Sequence, residues 1–446
     1  MLTQKQQAKQ DLQIYGHQKL GDEMLEFAQK LWPLNRSLTG EGNRSTLSMI
    51  KSHLPHMKIY SYKSGTEVFD WVVPPEWNVI AAYIITPDGE KICDYNVNNL
   101  HLVGYSVSFD GELALEELEK NLHYKPEQPD AIPYVTSYYK RTWGFSLSFN
   151  QFKLLKPGKY KVVIKAEFRN GHMDYGELII PGKSEKEIFL STYICHPSMA
   201  NNELSGPVVT TFLGKWLSKH ENLNNTYRLI FIPETIGSIA YLFYNLGHLK
   251  KNMIAGYNIS CVGDERAYSY LSSRSGKTLS DRVAKHVLNW FDHDFHSYGW
   301  LSRGSDERQY CAPGVDLPVA SIMRSKFGTY PEYHTSLDQF GRVVTAKGLL
   351  GGYSAIKQAL ILIERNIRYY SLTTCEPKMD KLGLYPTTSN GRIATNFQVL
   401  LDFISYCDGD NDLINIAEAL NLPAYQLYDS VDLLKEKNLI AKVPAG

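Results

Sequence analysis

An apolar segment that ends at a histidine is the sequence feature that most restricts how this chain can fold. Residues 187–195 (Glu-Ile-Phe-Leu-Ser-Thr-Tyr-Ile-Cys) have the length and composition of a buried β-strand. His196 follows directly, and a polar loop then leads into a helical pattern with Pro207 in its first turn. A loop at the end of such a strand lies at the carboxyl edge of an open α/β sheet, where ligands bind. The segment therefore predicts that His196 is presented to a ligand site.

Strand and helix patterns continue to alternate as far as residue 366. Strands that alternate with helices form a mainly parallel, doubly wound sheet. The fold class predicted from this order is α/β. The strand patterns cover 187–195, 226–232, 253–262 and 315–323, and the helical patterns cover 205–219, 236–251, 278–291 and 344–366.

The flanking regions differ from this core. Residues 1–57 look helical, and we expect them to complete an α/β domain with residues 183–370. Residues 58–182 are rich in β patterns. Within 159–169, apolar residues at alternate positions lie on one face of the predicted strand and mostly charged residues lie on the other, which is typical of a half-buried strand. We expect a mostly antiparallel β subdomain that is inserted in, or precedes, the main sheet.

The C-terminal residues 376–446 form a separate unit. Three short amphipathic helices and a final strand predict a winged-helix domain. Six Lys or Arg stand against ten Asp or Glu in this unit. Because a DNA duplex demands basic groups that neutralise phosphate, we expect this winged helix not to bind DNA. The helices cover 397–406, 413–420 and 424–437, and the strand covers 439–443.

Composition excludes some classes of function. The 446 residues include 47 basic and 47 acidic side chains, which gives no overall attraction to nucleic acid or to an anionic membrane. No apolar run approaches the ~20 residues of a membrane span. The polar N-terminus and six scattered cysteines without a Cys-x-x-Cys motif predict a cytoplasmic protein with reduced cysteines that pack in the core, not a disulfide frame or a thiolate zinc site.

Groups that can do chemistry follow several of the predicted strands. Imidazoles and carboxylates together suit zinc, and a further carboxylate can act as a general base. Each residue also has a structural interpretation: a hydrogen-bonded histidine, a carboxylate that caps a helix, a solvated turn or a local salt bridge. Their meeting at one sheet edge favours a metal site. The candidates are His196, Glu234, Asp264, Asp306, Glu307 and His334, the last within the loop Tyr333-His-Thr-Ser-Leu-Asp338.

Residues 187–366 resemble the zinc aminopeptidase superfamily, whose catalytic domain is a phosphorylase/aminopeptidase-like α/β/α sandwich. The order of the whole chain resembles a bacterial aminopeptidase-like branch with an inserted β subdomain and a C-terminal winged helix, some of whose members are linked to surface-polysaccharide genes. The resemblance matches the first and last histidine ligands to His196 and His334. The other matching elements are Asn202-Glu-Leu-Ser-Gly206, Glu234-Thr-Ile-Gly237 and Asn258-Ile-Ser-Cys-Val-Gly263.

Three ligand positions of the family are not anionic in this chain. The bridging aspartate becomes Asn202, the second-metal glutamate becomes Thr235 and the strand-end aspartate becomes Ser260. We therefore expect one zinc ion and not two, because a pair of cations needs a bridging carboxylate. Nearby carboxylates, Glu203 and Asp264, are the predicted further ligands. Asn202, Asp306, Glu307 and Tyr333 are predicted to contact substrate or to support the ligands.

Two hypotheses of function follow. In the first, the protein is a zinc-dependent hydrolase of an amide bond, with Glu234 as general base on the metal-bound water and a peptide or small molecule, such as an acylated amino sugar, as substrate. In the second, it is a catalytically inactive relative that binds a small ligand or a partner at the same edge. Extra modules in this superfamily often shape the pocket mouth, so Trp143 and Tyr139 either overhang the site or belong to the core of the β subdomain.

Overall fold

The main sheet of the computed structural model has eight strands, and the structure describes residues 4–138, 140–383 and 391–444. The strand Glu187–Tyr193 lies at its centre and pairs in parallel with Thr226–Ile232 on one side and Met253–Asn258 on the other. The α/β class and the mainly parallel core are therefore confirmed. In order across the sheet, the strands are Lys58–Lys63, His172–Ile180, Thr226–Ile232, Glu187–Tyr193, Met253–Asn258, Val319–Met323, Ser269–Leu271 and His296–Tyr298.

Helices cover both faces of this sheet because its central strands are apolar on both sides. Ile188 and Leu190 pack into one core and Phe189, between them in sequence, packs into the other. The first core receives five long helices, and the second receives the helix Ile236–Asn252 and the β subdomain. The helices on the first face are Gln4–Leu31, Glu41–His53, Ser205–Leu217, Leu279–Phe291 and Ala346–Arg365.

The β subdomain is built on a four-stranded antiparallel sheet. Its longest strand, Lys159–Arg169, buries Tyr160, Val162 and Ile164 as the alternation predicts. Two strands within 58–182, Lys58–Lys63 and His172–Ile180, hydrogen-bond into the main sheet and not into this one. Alternation marks a strand without revealing which sheet it joins. The sheet order is Lys91–Ile92, Glu76–Ile85, Lys159–Arg169 and Phe109–Ala114, and two short strand pairs join Glu67–Val68 to Trp71–Val72 and Leu122–His123 to Phe145–Ser146.

The C-terminal unit has the helices and strands of a winged helix. Its three-stranded sheet includes Arg368–Ser371, which lies before the predicted start at 376, and Asp408–Asp412, whose sequence has no β-forming residues. These strands form because Ile440–Lys442 and Asp408–Asp412 both pair with Arg368–Ser371. The helices are Gly391–Ser405, Leu413–Ala419 and Tyr428–Glu436, the last preceded by the 3₁₀ turn Ala424–Leu427.

Among the described residues, no helix is both long enough and apolar enough to cross a membrane.

Candidate active site

A cleft of about 510 Å³ opens at the carboxyl edge of the main sheet. The strands Glu187–Tyr193 and Thr226–Ile232 lie side by side in parallel, so His196 and Glu234, which follow them, come together at its floor. The β subdomain contributes Tyr134, Thr136 and Tyr138 to the walls. The other lining residues are Leu38, Asp70, Trp71, Val72, Pro74, Cys195, Thr235, Ile236, Gly304, Arg308, Tyr333 and His334.

His196 is held from behind by a buried ion pair. Its Nδ1 lies 2.9 Å from Oε2 of Glu203, and Oε1 of Glu203 lies 3.3 Å from Nε of Arg36. Arg36 also donates to the backbone carbonyls of His196 and Leu31, at 3.1 and 2.6 Å. The three charged side chains are buried, so the network fixes the imidazole ring and leaves Nε2 for other partners. Glu203 thus contacts the back of the His196 ring, and its role as a direct metal ligand stays a prediction.

Glu234 faces the other edge of that imidazole. Its Oε2 lies 3.6 Å from Nε2 of His196, and Ser305 Oγ donates to its Oε1 at 2.6 Å. Its backbone N–H donates to Sγ of Cys195 at 3.1 Å. The side chain is about one-fifth exposed, so the carboxylate is positioned by the protein and still open to the cleft.

Thr235, the next residue, has a strained backbone. It is β-branched and adopts φ 65° and ψ −82°, a left-handed region that such residues rarely enter. Asp306 Oδ1 accepts from its backbone N–H at 2.7 Å, and Arg308 donates to its Oγ1 at 2.6 Å. Asp306 also accepts from Ser238 at 2.8 Å. The loop around Asp306 thus stabilises a backbone conformation that positions Glu234.

His334 completes the floor of the cleft. Its ring centroid lies 5.7 Å from that of His196, and Tyr134 packs edge-on against both rings at 5.2 and 5.3 Å. Tyr333 stacks on His334 at 3.9 Å. His334 has φ 56°, and its carbonyl accepts from the backbone N–H of Tyr134 at 2.9 Å, so the β subdomain helps to hold it. The structure brings together the two histidines that the sequence analysis paired.

Burial and neighbouring charges set the pKa values on the floor of the cleft. Burial would lower the pKa of His196, but Cys195 and Glu203 outweigh it and raise that pKa well above its usual value. For His334, burial and then the proximity of His196 lower the pKa to about 3. For Asp306, burial and then the negative charge of Glu234 raise the pKa to about 8. His334 is therefore a neutral imidazole at physiological pH.

Other predicted residues lie behind this floor. Asp264 is fully buried, and its oxygens accept hydrogen bonds from Asn201, Arg266 and Ser325, so its place gives no support to a role as metal ligand. Glu307 likewise accepts from the backbone of Gly304 and Ser305 and from the side chain of Asn258.

Asn202, at the family's bridging position, is committed to the protein. Its Oδ1 accepts from the hydroxyl of Tyr193 at 2.9 Å, and Asp338 accepts from its backbone N–H at the same distance. Its Nδ2 is buried and has no partner. An amide nitrogen cannot bind a cation, so no anionic bridge is present at this position.

Sequence analysis missed several residues of the cleft. Cys195 packs in the core, as the sequence predicts, and it also lines the cleft next to His196; that adjacency was the available signal. Arg308 was considered only as a local salt bridge to Asp306. Of the aromatic residues proposed to overhang the site, Trp143 stacks on Phe109 at 4.5 Å inside the β subdomain, and Tyr139 lies outside the described residues. Tyr134 and Tyr138 occupy that position instead.

The donor set on the floor fits one zinc ion. A ring nitrogen of His196, Sγ of Cys195 and a carboxylate oxygen of Glu234 lie within 4.8 Å of one another. Imidazole, thiolate and carboxylate are all ligands that zinc accepts. Among the described residues no second group of three such donors lies as close together, and Asn202, Asp264 and Thr235 are engaged in hydrogen bonds within the protein.

Comparisons with known proteins agree with this architecture. A family model described as "Domain of unknown function (DUF4910)" matches residues 25–366, and one described as "winged helix-turn-helix" matches 368–442. A Clostridium acetobutylicum protein named "Putative polysaccharide biosynthesis protein with aminopeptidase-like domain" is 39% identical over 432 residues, which cover 96% of this chain and 98% of that protein.

Solved structures show the same fold. A crystal structure of a "putative peptidase" from Clostridium acetobutylicum has a TM-score of 0.91 at 38% identity and covers 98% of this chain and 100% of its own. A zinc aminopeptidase from Bacillus subtilis has a TM-score of 0.55 at 12% identity, covering 78% of this chain and 94% of its own. A peptidase M28 precursor from Shewanella amazonensis has a TM-score of 0.53 at 11% identity, with 78% and 96% covered. The chain therefore belongs to the DUF4910 family, and it combines the aminopeptidase fold with a C-terminal winged helix.

Proposed function

We propose that the protein is a zinc-dependent hydrolase of an amide bond, of the aminopeptidase type, and that it uses one metal ion. The observation that carries the proposal is the approach of Glu234 Oε2 to within 3.6 Å of Nε2 of His196, at the floor of a cleft, while Glu203 holds Nδ1 of the same ring. A carboxylate behind a histidine is the usual way to orient an imidazole toward a metal.

In this proposal His196 and His334 would hold the ion, with Sγ of Cys195 as a third ligand. Glu234, the other donor within 4.8 Å of His196 and Cys195, would not be a ligand. When bound, zinc would act as a Lewis acid on the scissile carbonyl. Without a metal the pKa of His196 is raised and that of His334 is lowered, and a bound ion would hold both imidazoles in the neutral form. Because these residues suffice for an open zinc site, Glu234 remains available for proton transfer.

Glu234 is the residue that we assign as general base. Ser305 fixes one of its oxygens, and the strained Thr235 fixes its backbone, so the other oxygen is held toward the cleft. There it would take a proton from the attacking water and later deliver it to the leaving amine. The aromatic wall formed by Tyr134, Tyr138 and Tyr333 would exclude bulk water from that transfer.

The substrate is either a short peptide or an acylated amino sugar. The fold of the solved zinc aminopeptidases favours the peptide, and the name of the Clostridium relative favours a sugar precursor. The absence of charge at Asn202, Thr235 and Ser260 favours the competing proposal of an inactive binding protein.

The test is a metal analysis of protein purified without chelator, followed by a screen of aminoacyl chromogenic amides and N-acetyl sugars. We expect about one zinc per chain and turnover of at least one amide that is lost in Glu234→Gln. Metal-loaded protein that hydrolyses nothing in the screen would favour the binding protein instead.

A further inference from the structure

Among the described residues, Arg308 is a cation on the cleft wall without a carboxylate beside it. Arg308 is exposed and lines the cleft beside Thr235. Its single side-chain hydrogen bond goes from Nη2 to Thr235 Oγ1 at 2.6 Å, and among the described residues no carboxylate oxygen lies within 4.0 Å of its guanidinium. A guanidinium carries five N–H donors, so most of them remain available to a ligand.

The loop that carries Arg308 is rigidly built. Glu307 accepts from the backbone N–H groups of Gly304 and Ser305 at 2.7 and 3.0 Å, and from Asn258 at 3.0 Å. Asp306 accepts from Thr235 and Ser238 at 2.7 and 2.8 Å. Both carboxylates are fully buried, so they anchor the loop and leave Arg308 as the exposed charge at its end. Recognition groups of high specificity are usually preorganised in this way.

Arg308 also lies close to the reacting groups. It contacts Thr235, which directly follows the proposed base Glu234, and Ser305 of the same loop donates to Glu234 at 2.6 Å. An anion bound by Arg308 would therefore lie in the same cleft as the carboxylate of Glu234. A planar carboxylate matches the paired donors of a guanidinium, and an unmodified peptide carries one at its C-terminus.

We propose that Arg308 binds the free α-carboxylate of the substrate's leaving group, so that the substrates are dipeptides and other N-acyl amino acids. This assignment rests on the amide hydrolase function proposed above. In the reaction, the C–N bond breaks, the hydroxyl of water joins the acyl carbon and its proton joins the amine of the released amino acid. Trp71, Val72 and Ile236 line the same cleft and provide apolar surface for the acyl side. A volume of about 510 Å³ suits a ligand of this size.

The test is calorimetric binding to the full-length, zinc-loaded Glu234→Gln protein, which should not consume its ligand. Leucylglycine is compared with leucylglycinamide, which differs only in the loss of the carboxylate charge. We expect the carboxylate to bind about 10- to 100-fold more tightly, as for a charge-assisted bidentate pair. Adding Arg308→Met should abolish this preference, and adding Arg308→Lys should restore only part of it, because lysine offers no planar pair of donors.

Arg303 provides the matched control. It lies on the same loop and is also exposed, but its guanidinium lies over the ring of Trp300 at 4.8 Å and does not line the cleft. Arg303→Met removes the same charge and should leave the preference for the carboxylate intact. Equal binding of the two dipeptides, or an equal loss in both arginine variants, would overturn the proposal.

Two further outcomes separate this proposal from others. A carboxylate could instead belong to an acidic sugar, so N-acetylmuramic acid is compared with N-acetylglucosamine; an Arg308-dependent preference in that pair and not in the peptides would overturn the peptide assignment. Carboxylate preference without hydrolysis by the wild-type protein would leave Arg308 as an anchor and reject the hydrolase. Hydrolysis without a preference for the carboxylate would support the hydrolase and reject the role of Arg308.

Discussion

The cleft and the boundary between the α/β domain and the winged helix both gather histidine, arginine and carboxylate side chains, but they use them differently. At the boundary, Arg282 donates to both oxygens of Asp412 at 2.8 Å, and Nε2 of His286 accepts from the backbone N–H of Ala424 at 3.0 Å. In the cleft, His196 and Glu234 are held on one side only. The groups at the boundary hydrogen-bond to one another and so dock the winged helix onto the α/β domain. The groups in the cleft keep donor and acceptor atoms that can bind a ligand.

Buried polar atoms without a hydrogen-bond partner also distinguish the region of the cleft from the winged helix. Nδ2 of Asn202, Oδ1 of Asn258 and Oδ2 of Asp306 are buried near the cleft without a partner, whereas no such atom occurs in the described residues from 366 onward. Leaving a buried polar atom unpaired costs about 1 to 3 kcal/mol. Other atoms of this kind, such as the hydroxyl of Tyr62 and Oδ1 of Asn99, lie elsewhere before residue 366, so the contrast is between the described winged helix and the rest of the described chain.

Backbone strain is also unequal in the two regions. Thr235 and His334 in the cleft have φ 65° and 56°, whereas in the winged helix the positive-φ residues other than glycine are Asn421 and Asn438. Asparagine enters the left-handed region at little cost, but a β-branched threonine does not. Among the described residues with positive φ, Thr235 is the β-branched one, and strain at this position suits a residue that positions Glu234.

The largest expected effect is on catalysis. Glu234→Gln keeps the size of the side chain and removes the base, so we expect about a 10²- to 10⁴-fold loss of kcat/KM with the metal retained. Glu418→Gln is the matched control, because Glu418 lies 3.7 Å from His286 at the boundary, much as Glu234 lies 3.6 Å from His196. Steady-state rates on the best amide of the screen check both variants. Equal losses of kcat/KM in Glu234→Gln and Glu418→Gln would show that catalysis does not depend specifically on the carboxylate in the cleft.

Metal content should separate the histidines of the two regions. We expect about one zinc per chain, and His196→Ala or His334→Ala should each abolish tight binding because two imidazoles form the core of the site. His286→Ala, at the boundary, should leave the metal content unchanged. The check is atomic emission on protein dialysed against metal-free buffer. Two tightly held ions, or a content that both cleft variants leave intact, would show that the ligand assignment is wrong.

How much of the fold and of the site could be predicted depends on whether the signal lies in neighbouring residues or in residues distant in sequence. The strands from 187 onward, and the meeting of His196 with His334, follow from apolar runs and from the rule that parallel strands end at one edge. The roles of Glu203 and Asp264 do not follow, because whether a carboxylate faces the cleft or the protein depends on neighbours distant in sequence, such as Arg36 and Ser325. The free guanidinium of Arg308 is equally invisible in the sequence.

Stability should depend more on the ion pair behind His196 than on the one at the boundary. Arg36→Met removes the guanidinium from the buried Glu203 and leaves His196 as its ionic partner, and breaking a buried ion pair costs about 3 to 5 kcal/mol in the free energy of unfolding. Arg282→Met removes a pair that is partly exposed and screened by solvent, so about 1 kcal/mol is expected. Urea unfolding monitored by tryptophan fluorescence measures both. A smaller loss of unfolding free energy in Arg36→Met than in Arg282→Met would contradict the prediction that stability depends more on the ion pair behind His196.

The boundary pair should also respond to acid. Burial would raise the pKa of Asp412, but hydrogen bonds from Arg282 and other donors outweigh it and lower that pKa below its usual value. A carboxylate whose folded pKa is lowered stabilises the fold above its unfolded pKa of about 3.9 and loses that contribution as pH falls through the folded value. Docking of the winged helix should therefore weaken only below about pH 4. In Asp412→Asn, proteolysis of the C-terminal unit should lose this dependence on pH.

The smallest effect is expected where the fold name suggests the largest, in DNA binding by the winged helix. Its helix Tyr428–Glu436 carries three carboxylates, and Asp432 pairs with Arg365 of the α/β domain at 2.9 Å, while the Arg365 guanidinium lies over the ring of Tyr428 at 4.8 Å. A duplex requires an exposed basic face, and this helix turns acidic groups outward and part of its length toward the neighbouring domain. In fluorescence anisotropy with a labelled duplex and the full-length protein, we expect no binding tighter than about micromolar at near-physiological salt. Salt-dependent submicromolar binding that Lys435→Glu abolishes would contradict the prediction that the winged helix does not bind DNA. It would mean that the boundary region, like the cleft, has charged groups available to a ligand.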